Sequence, residues 1–426
     1  MRLIIVGCGQ RGTNYALYAT EFPDVVTVVA AADPNEQRLA KLSKVHNIPK
    51  SSQFRSWIEI LKKPKFADAV AICTQDKLHC EPTVAFAKAG YNILLEKPMA
   101  VSIPECKMIF EAIRESNVIL SVGHVLRYTS LYRKVKSIID SGELGDIISI
   151  NHMECIGYWH FAHSFVRGNW RKEEDSTFSL MAKSCHDIDL ILYFMNGAKP
   201  THVSSFGSLN HFRPEKKPSE AGSARRCMDC KFEKHCPFSA KKVYLEPASR
   251  GIDGWPVSVI TDNVTQETVI DALQKGPYGK CVYECDNDVV DNQVVSMNFD
   301  GGQTATFSMV AFTEDLCVRK TRIFGSKGEL VCDGHSIRLF KFEGDEAKVY
   351  GSQDFPLPNS VLSGHFGGDF YLMDAFVSAV CNDNPSVILS GPEETFHSHL
   401  LVFAAEHARK TKSVVDFKQF LQQMDC

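Results

Sequence analysis

Short apolar runs alternate with amphipathic stretches along the first 123 residues of the chain. The apolar runs are rich in β-branched residues, which is typical of buried strands, and they occupy residues 2–6, 25–32, 69–73, 92–95 and 118–122. The amphipathic stretches have helical spacing and occupy residues 36–45, 79–88 and 103–116. Strands that alternate with helices of this length predict a parallel sheet with right-handed crossovers.

The pattern changes beyond residue 124. Longer runs that alternate or are continuously apolar follow at residues 147–155, 203–208, 290–299, 304–310 and 318–324. Gly301-Gly302 separates two of these runs and is a hairpin signal. No linker rich in Pro, Gly or Ser divides the two parts, so the boundary near residue 123 rests on the change of pattern. A chain of 426 residues also exceeds one typical core of roughly 100–200 residues, which favours two domains.

Composition and charge narrow the classes of function. The net charge of −4 argues against a nucleic-acid surface and against a polybasic membrane patch. No apolar run approaches the roughly 18–20 residues that span a bilayer, and Gly7 ends the first apolar run too early for a signal peptide. Most of the 15 cysteines stand singly in apolar segments. That distribution fits a reducing cytosol better than a disulfide scaffold, so we expect a cytoplasmic protein.

The first predicted strand ends in Gly7-Cys8-Gly9-Gln10-Arg11-Gly12, which has the spacing G-x-G-x-x-G. This motif directly follows a strand, opens a helix and is followed about twenty residues later by Asp33, at the end of the second strand. Gly7 permits a tight turn, Gly9 lets the backbone approach a pyrophosphate, and Gly12 allows close packing of helix on sheet. The sequence therefore predicts a dinucleotide site at which a helix N-terminus stabilises the phosphate charge.

Asp33 also bears on the choice of dinucleotide. Its carboxylate accepts hydrogen bonds from a ribose 2′-OH and repels a 2′-phosphate, which favours NAD. Arg11 and Arg38 would offset that repulsion, so NADP stays open as the less favoured cofactor.

Four further stretches make this prediction more specific. They are Thr74-Gln75-Asp76-Lys77-Leu78-His79, Leu95-Glu96-Lys97-Pro98, Gly123-His124-Val125-Leu126-Arg127-Tyr128 and Cys185-His186-Asp187-Ile188-Asp189-Leu190. In this order and spacing they resemble the Gfo/Idh/MocA family of sugar and inositol oxidoreductases. The segment Phe324-Gly325-Ser326-Lys327-Gly328-Glu329 is similar to a later glycine turn of that family. The resemblance covers most of the chain, apart from an insertion near residues 207–285.

The resemblance implies an α/β protein with two domains. Residues 1–123 are expected to form a Rossmann domain with a doubly wound parallel sheet. Residues 124–426 are expected to form a substrate-binding and oligomerisation domain on a large, open, mostly antiparallel sheet. The family also implies a carbohydrate-like substrate and a homodimer or homotetramer that forms through the open face of that sheet. The implied cofactor-binding residues are Gly7, Gly9, Gln10, Arg11, Gly12, Asp33, Thr74, His79, Glu96 and Lys97.

Oxidation of a secondary alcohol needs a hydride acceptor and a group that takes the hydroxyl proton. In the family the lysine of the Glu-Lys-Pro element takes part in this proton chemistry, which makes Lys97 the first candidate. A partly desolvated lysine beside a nicotinamide cation has a lowered pKa, as suits a general base. His186 matches the family's histidine, which contacts the reacting hydroxyl and relays its proton. Glu96 is expected to orient the loop or to touch the cofactor.

The chain departs from the family pattern one helical turn before His186. Many members carry an aspartate four residues before this histidine, where this chain has Ala182, followed by Lys183. Lys183 is therefore a further candidate catalytic residue, in place of the aspartate and in direct contact with the substrate. The proton route of the family does not transfer unchanged to this chain.

Residues 158–171 are dense in aromatic, histidine and arginine side chains. Aromatic faces pack on the C–H surfaces of sugars, and arginines bind hydroxyls or a carboxylate. If Arg167 and Arg171 both point inward, an acidic sugar is favoured. The predicted substrate-binding residues are His124, Tyr128, Trp170, Arg171 and Lys183.

A separate group of cysteines has metal-ligand spacing. Cys227, Cys230 and Cys236 form C-x₂-C-x₅-C, and two thiolates of such a pair chelate one metal ion from a tight turn. Zinc takes four ligands, so the sequence predicts a structural zinc site completed by Cys281, with Cys285 or His235 as alternative fourth ligands. An iron–sulfur cluster on the same ligands and an exposed loop without metal are the other interpretations.

These features favour an NAD-dependent dehydrogenase that acts on a hydroxyl carbon of a sugar, sugar acid or cyclic polyol. The first alternative is a redox-neutral enzyme, like the NAD-dependent glycosidases and epimerising enzymes among the relatives, which recycles a tightly bound NAD. The missing aspartate at position 182 slightly favours this alternative. The second is a sensor that binds NAD and sugar without turnover, and the presence of Lys97 and His186 argues against it.

Overall fold

The computed structural model describes residues 1–362 and 364–424. Six strands form the first sheet: β1 Arg2–Val6, β2 Thr27–Ala32, β3 Gln53–Phe54, β4 Ala69–Ile72, β5 Asn92–Leu95 and β6 Leu120–Val122. All of them are parallel, in the order β3-β2-β1-β4-β5-β6. The connecting helices are α1 Gln10–Glu21, α2 Glu36–Val45, α3 Trp57–Leu61, α4 Cys80–Lys88 and α5 Ile103–Ser116. The predicted doubly wound parallel sheet is confirmed.

Burial explains why these strands are readable from the sequence. Every residue of β4, and every residue of β1 after the first, is buried. Helices cover both faces of a parallel sheet, so its central strands read as continuous apolar runs. The edge strand β3 has only two residues, and so short a segment has no periodicity from which to predict it.

Nine strands form the second sheet: β7 Ile147–Cys155, β8 Pro200–Ser208, β9 Asn292–Phe299, β10 Thr304–Val310, β11 Val318–Gly325, β12 Gly328–Cys332, β13 Ile337–Lys341, β14 Glu346–Tyr350 and β15 Val415–Asp416. Their order is β14-β13-β12-β11-β7-β10-β9-β8-β15, and among the described residues β7 and β10 pair in parallel while the other neighbours are antiparallel. The predicted large and mostly antiparallel sheet is confirmed. The predicted hairpin at Gly301-Gly302 joins β9 to β10, and Gly302 has a φ of +85°.

Helices cover one face of the second sheet. Helix α14 packs against β8, and α9 packs against β7 and β10. The helices of this part are α6 Ser130–Asp140, α7 Tyr158–Phe161, α8 Ser179–Ala182, α9 Cys185–Phe194, α13 Gly368–Asn382, α14 Pro392–Thr411 and α15 Phe417–Gln423. Exposed apolar side chains, among them Ile148, Phe206 and Val294, alternate with the buried ones along the strands. Oligomerisation through the open face stays a prediction, as does the domain boundary at residue 123.

The predicted insertion lies between β8 and β9. It contains α10 Glu246–Ser249, α11 Val257–Ile260 and α12 Gln266–Lys275. Tyr244, Val257, Val269 and Leu273 belong to a small apolar core of its own. None of the helices within residues 1–362 and 364–424 has the length and apolar character needed to cross a membrane.

Candidate active site

A cavity of about 1070 Å³ lies where the carboxyl ends of the first sheet's strands face the second sheet. Thr74 follows β4 and Lys97 follows β5, and both line the cavity together with Arg319 of β11. Open parallel sheets bind ligands at this edge. The cavity exceeds the roughly 300–1,000 Å³ of a pocket for one drug-sized ligand, so it has room for a dinucleotide and a small substrate.

The glycine turn between β1 and α1 has the geometry expected of a dinucleotide site. Gly7 has a φ of +93°, and a Cβ atom there would lie 2.5 Å from the carbonyl oxygen of Cys73. A Cβ at Gly12 would lie 1.9 Å from the carbonyl oxygen of Gly7, so only glycine lets α1 pack this close to the turn. A Cβ at Gly9 would meet no atom within 4 Å, which means that the space over the turn is open.

Two predicted cofactor residues flank this turn. Asp33 is buried at the end of β2, and its carboxylate accepts hydrogen bonds from the backbone N–H of Cys8 and of Asn35, both at 2.7 Å. Each carboxylate oxygen has a second lone pair, so these bonds leave Asp33 able to accept one from a ribose. Gln10 opens α1 and lines the cavity.

Arg11, another predicted cofactor residue, is engaged in ion pairs within the protein. Its guanidinium donates to Glu96 Oε1 at 2.6 Å and to both carboxylate oxygens of Asp369, on α13, at 2.7 and 3.0 Å. Tyr15 also donates its hydroxyl to Glu96, at 2.5 Å. Burial opposes ionisation of Glu96, but the Arg11 guanidinium, the Tyr15 hydroxyl and the Lys97 ammonium together outweigh it and hold the pKa of this carboxyl below its ordinary value. Arg11 and Glu96 line the cavity and tie the first sheet's loops to α13.

The Glu96-Lys97-Pro98 element forms one wall of the cavity. The bond between Lys97 and Pro98 is cis. The Lys97 ammonium donates a hydrogen bond to the carbonyl oxygen of Ala182 at 2.6 Å, so the residue that replaces the family's aspartate contacts Lys97 through its backbone. His79 is fully buried behind this wall, with Nδ1 2.7 Å from the carbonyl oxygen of Pro98, and it does not line the cavity.

His186 lines the cavity at the start of α9. Burial, and then the charges of Lys97 and His124, hold its pKa well below 6.5, so the imidazole is neutral at physiological pH. Its Nδ1 has no hydrogen-bond partner among the described residues. The ring of His124 packs edge-on against it, with ring centres 5.4 Å apart, but His124 itself lies behind the cavity wall.

Lys183 lies in the same cavity. Its Nζ is 3.1 Å from Cys317 Sγ and 3.3 Å from Glu154 Oε1. Arg319 contacts the other oxygen of Glu154 at 2.7 Å and also Asp187 at 3.0 Å. A buried network of two cations and two carboxylates therefore stands where the family pattern has an aspartate.

Some of the predicted substrate-binding residues line the cavity, and others do not. Trp170 lines the cavity and donates its indole N–H to Asp76 at 2.8 Å. Tyr128 does not: its buried hydroxyl accepts the backbone N–H of Leu389 at 2.9 Å. Arg171 lies outside the cavity as well, and its Nε contacts Asp286 at 3.1 Å.

Arg167 is buried and also does not line the cavity. Its guanidinium donates to the backbone carbonyls of Lys280 and Phe238, each at 2.8 Å, and lies 3.3 Å from Cys227 Sγ. With Arg167 and Arg171 both directed elsewhere, the condition that would favour an acidic sugar is not met.

Sequence reasoning missed several residues of the cavity wall. His160 stands within the aromatic segment, whereas Cys317, Arg319 and His365 come from distant parts of the chain. Trp255 belongs to the insertion, and the centre of its ring lies 5.0 Å from that of His160. The insertion therefore contributes to the wall of the active site. No local pattern in the sequence predicts this contact.

The four cysteines predicted as zinc ligands, Cys227, Cys230, Cys236 and Cys281, line a second, small cavity of about 20 Å³. Across the described ranges, however, no group of three or more His, Cys, Asp or Glu side chains is arranged to hold a metal ion. The thiols converge on one place without forming a ligand set, so the structure gives the zinc prediction no support.

Models of one family match nearly the whole chain. The NAD-binding Rossmann-fold model of the Gfo/Idh/MocA oxidoreductase family matches residues 1–124, and the model of its C-terminal alpha/beta domain matches residues 136–417. The chain therefore belongs to the Gfo/Idh/MocA oxidoreductase family, as its motifs predict. It is an oxidoreductase of a family with an NAD-binding Rossmann fold.

Individual relatives are distant. YteT of Bacillus subtilis (strain 168), an oxidoreductase by name, is 23% identical over 394 residues, which are 87% of either chain. The scyllo-inositol 2-dehydrogenase (NAD(+)) of the same organism is 28% identical over 209 residues, 49% of this chain and 58% of the relative. The 2,7-anhydro-N-acetylneuraminate hydratase of Escherichia coli (strain K12) is 24% identical over 211 residues, 49% of this chain and 54% of the relative. The chain thus spans little more than half the length of the last two.

Among solved structures, levoglucosan dehydrogenase in complex with NADH is similar to this chain with a TM-score of 0.69. The similarity covers 98% of this chain and 99% of that chain, at 16% sequence identity. It shows that the two proteins share a fold.

Proposed function

We propose that this oxidoreductase transfers a hydride between nicotinamide and a hydroxyl-bearing carbon of a sugar, sugar acid or cyclic polyol. The observation that carries the proposal is that Lys97, Lys183 and His186 line one cavity with the segments at the carboxyl ends of the first sheet. These side chains are able to exchange protons with a hydroxyl, and the neighbouring glycine turn suits a dinucleotide. Two of the similar proteins are named for scyllo-inositol and levoglucosan, which is consistent with a polyhydroxylated substrate.

The residues of the glycine turn fit NAD. The open space over Gly9 and the N-terminus of α1 suit a pyrophosphate, and the carboxylate of Asp33 at the end of β2 suits an unphosphorylated ribose. NAD supplies the hydride acceptor when it is bound. Because Arg11 is already paired with two carboxylates, it has less charge to offer a 2′-phosphate, and we therefore propose NAD rather than NADP.

We assign the handling of the hydroxyl proton to Lys97 and His186. The neutral imidazole of His186 is able to accept a proton, and its burial keeps competing water away. The hydrogen bond to Ala182 fixes the Lys97 ammonium at the same wall, where it is able to contact the substrate oxygen. Lys183, held between Glu154 and Cys317, is assigned to a second substrate oxygen, and the indole face of Trp170 to the C–H surface of the ring.

The test is an NAD reduction assay over a panel of sugars, sugar acids and inositols, with the wild type and Lys97→Ala. We expect NADH formation with at least one of these substrates and a fall in kcat of about 100-fold or more in the variant. Lys88→Ala, which removes an exposed lysine of α4, is the matched control and should leave kcat unchanged. Full activity of Lys97→Ala would exclude the assigned role, and the absence of NAD binding even at high concentration would overturn the proposal.

A second candidate function is redox-neutral chemistry, in which bound NAD is reduced and reoxidised within one turnover. Two observations favour it: the hydratase among the relatives, and the lysine–glutamate–arginine network in place of the family's aspartate. Denaturation of the purified protein, followed by absorbance and mass spectrometry of what is released, separates the two. Stoichiometric NAD in the supernatant, with rearrangement or cleavage of a substrate and no net NADH, would establish the second function.

Three expectations from the sequence keep the status of predictions. Elemental analysis of the purified protein tests the structural zinc ion, and one zinc per chain that is lost in Cys230→Ser would support it. Light scattering tests the homodimer or homotetramer. Localisation of the tagged full chain tests the cytoplasm.

A further inference from the structure

Cys317 lies in the wall of the large cavity, in the loop that leads from β10 into β11. Its side chain is only partly buried, so it is open to the cavity. Its φ of +54° places it in the left-handed region, which non-glycine residues seldom adopt. Strained backbone of this kind clusters at functional sites, which is consistent with a functional role for this thiol.

Two polar side chains contact the Cys317 sulfur. Nζ of Lys183 and Nδ1 of His160 each lie 3.1 Å from Sγ. Only 14% of the Lys183 side chain is exposed, so water screens its charge poorly. A neighbouring ammonium stabilises a thiolate, and the thiolate is the nucleophilic form of cysteine.

The charged groups around Lys183 do not draw its ammonium away from the Cys317 sulfur. Glu154 lies 3.3 Å from Lys183 Nζ, farther than the sulfur does, and it also faces Arg319 at 2.7 Å. Arg319 in turn contacts Asp187. Burial, and next the charge of Lys183, keep the pKa of His160 well below 6.5. The ring is therefore neutral, so its Nδ1 is able to accept a hydrogen bond from the thiol and to hold its proton in transit.

We propose that Cys317 is a reactive thiol that takes a small-molecule disulfide and forms a mixed disulfide inside the active-site cavity. The sulfur attacks one sulfur of the disulfide, and the new S–S bond forms as the old one breaks. The thiol proton is relayed through Nδ1 of His160 to the departing half, which leaves as a thiol. Cys317 is oxidised and the departing half is reduced. The adduct fills the space in front of Lys97 and His186, and a thiol reductant removes it.

The charge of the cavity wall selects an anionic disulfide. Four cations, Arg11, Lys97, Lys183 and Arg319, line the cavity together with the carboxylates of Asp76 and Glu96. Asp369, Glu154 and Asp187, which pair with three of these cations, lie behind the wall, so the paired cations face the cavity and favour an anion there. The exchange needs only the thiol and its neighbours, so this inference does not rest on the reaction proposed above.

The test compares two cysteines of the same full-length protein. Oxidised glutathione is the anionic probe, and peptide mass spectrometry follows the adduct at Cys317 and at Cys381, which is exposed and serves as the internal reference. At pH 7 we expect Cys317 to react about tenfold faster or more, although it is the less exposed of the two, and a thiol reductant to reverse the adduct. A rate at Cys317 no higher than that at Cys381 would overturn the proposal without any variant.

Two lysine variants test whether the Lys183 ammonium is what activates the Cys317 thiol. Lys183→Met removes the ammonium and should lower the Cys317 rate about tenfold while leaving the Cys381 rate unchanged. Lys320→Met is the matched control, because Lys320 is exposed, lies three residues from Cys317 and pairs with Asp315. It should leave both rates unchanged. An equal fall in both variants would show that the Lys183 contact is not what activates the thiol.

A cationic probe tests the ligand class. Cystamine is a disulfide of opposite charge, and its rate at Cys317 relative to Cys381 should be lower than that of oxidised glutathione. Equal ratios for the two probes would refute the anionic preference.

Discussion

His399 is a buried histidine whose protonation state follows from its hydrogen-bond partners. It lies on α14 with no exposed surface, its Nδ1 lies 2.9 Å from the carbonyl oxygen of Thr395, and its Nε2 accepts the backbone N–H of Met99 at 2.9 Å. The ring therefore donates through Nδ1 and accepts through Nε2, which is the neutral tautomer. Burial, followed by repulsion from His124, lowers the pKa of His399 to about 3.

This lowered pKa makes the free energy of unfolding depend on pH. An unfolded histidine has a pKa of about 6.5, so between pH 3 and 6.5 the unfolded state binds more protons than the folded state. Stability contributed by such a group is present above the unfolded pKa and is lost as the pH falls below it. From pH 7.5 to 5.5 the unfolded imidazole goes from about one tenth to about nine tenths protonated, while the folded one stays neutral. His399 alone should therefore remove about 1.4 kcal/mol of stability over this range.

The assay is urea unfolding of the wild type and His399→Gln at pH 7.5 and 5.5, followed by fluorescence and circular dichroism, which must coincide. A glutamine is able to accept the same Met99 N–H but does not titrate, so the stability advantage of the wild type should shrink by about 1.4 kcal/mol at the lower pH. His397→Gln, at an exposed position of the same helix, is the control and should show no such change. A difference between wild type and His399→Gln that is independent of pH would refute the reasoning, as would a measured pKa of His399 near 6.5.

The remaining predictions concern the walls of the cavity. Gly9→Ala should leave the melting temperature of the cofactor-free protein unchanged, because its Cβ meets no atom, but should weaken NAD binding in calorimetry. Gly12→Ala should instead cost about 1–3 kcal/mol of stability, since its Cβ would lie 1.9 Å from a backbone oxygen; equal melting temperatures for the two variants would contradict this. Asp369→Asn leaves Arg11 with one carboxylate and should cost about 2–3 kcal/mol in urea unfolding, and a loss below about 0.5 kcal/mol would mean that the Arg11–Asp369 ion pair is not stabilising. Trp255→Ala should raise KM for the substrate about tenfold with kcat little changed, and a fall in kcat alone would place Trp255 in the chemical step instead.

Much of the fold is readable from the sequence because its signals are local. The strands β1 and β5 and the helices α2 and α5 have the bounds that the pattern predicts, since burial on a parallel sheet makes each strand a continuous apolar run. Strand β14 escapes prediction because four of its five residues are exposed and it has no apolar face. The short strands β3 and β15 have two residues each, too few for any periodicity.

The candidate site also has a part that the sequence predicts and a part that it does not. The glycine turn, the Lys97 element and the His186 segment are contiguous motifs, and the structure brings Gln10, Thr74, Glu96, Lys97, Trp170, Lys183 and His186 to one cavity. Tyr128 and Arg171 belong to equally suggestive segments, yet their side chains turn away to Leu389 and Asp286. The direction of a side chain depends on which partner lies across the fold, and a local motif does not contain that partner.

The sequence alone determined that the chain has a nucleotide-binding parallel sheet followed by a larger antiparallel one, because period, glycine spacing and turn residues act over short stretches of chain. Tertiary structure decided what surrounds the reacting groups. Lys183 meets Cys317 across 134 residues, and Arg11 meets Asp369 across 358. Contacts between such distant residues form only in the assembled fold, and the free energy that selects them comes from burial and charge pairing there.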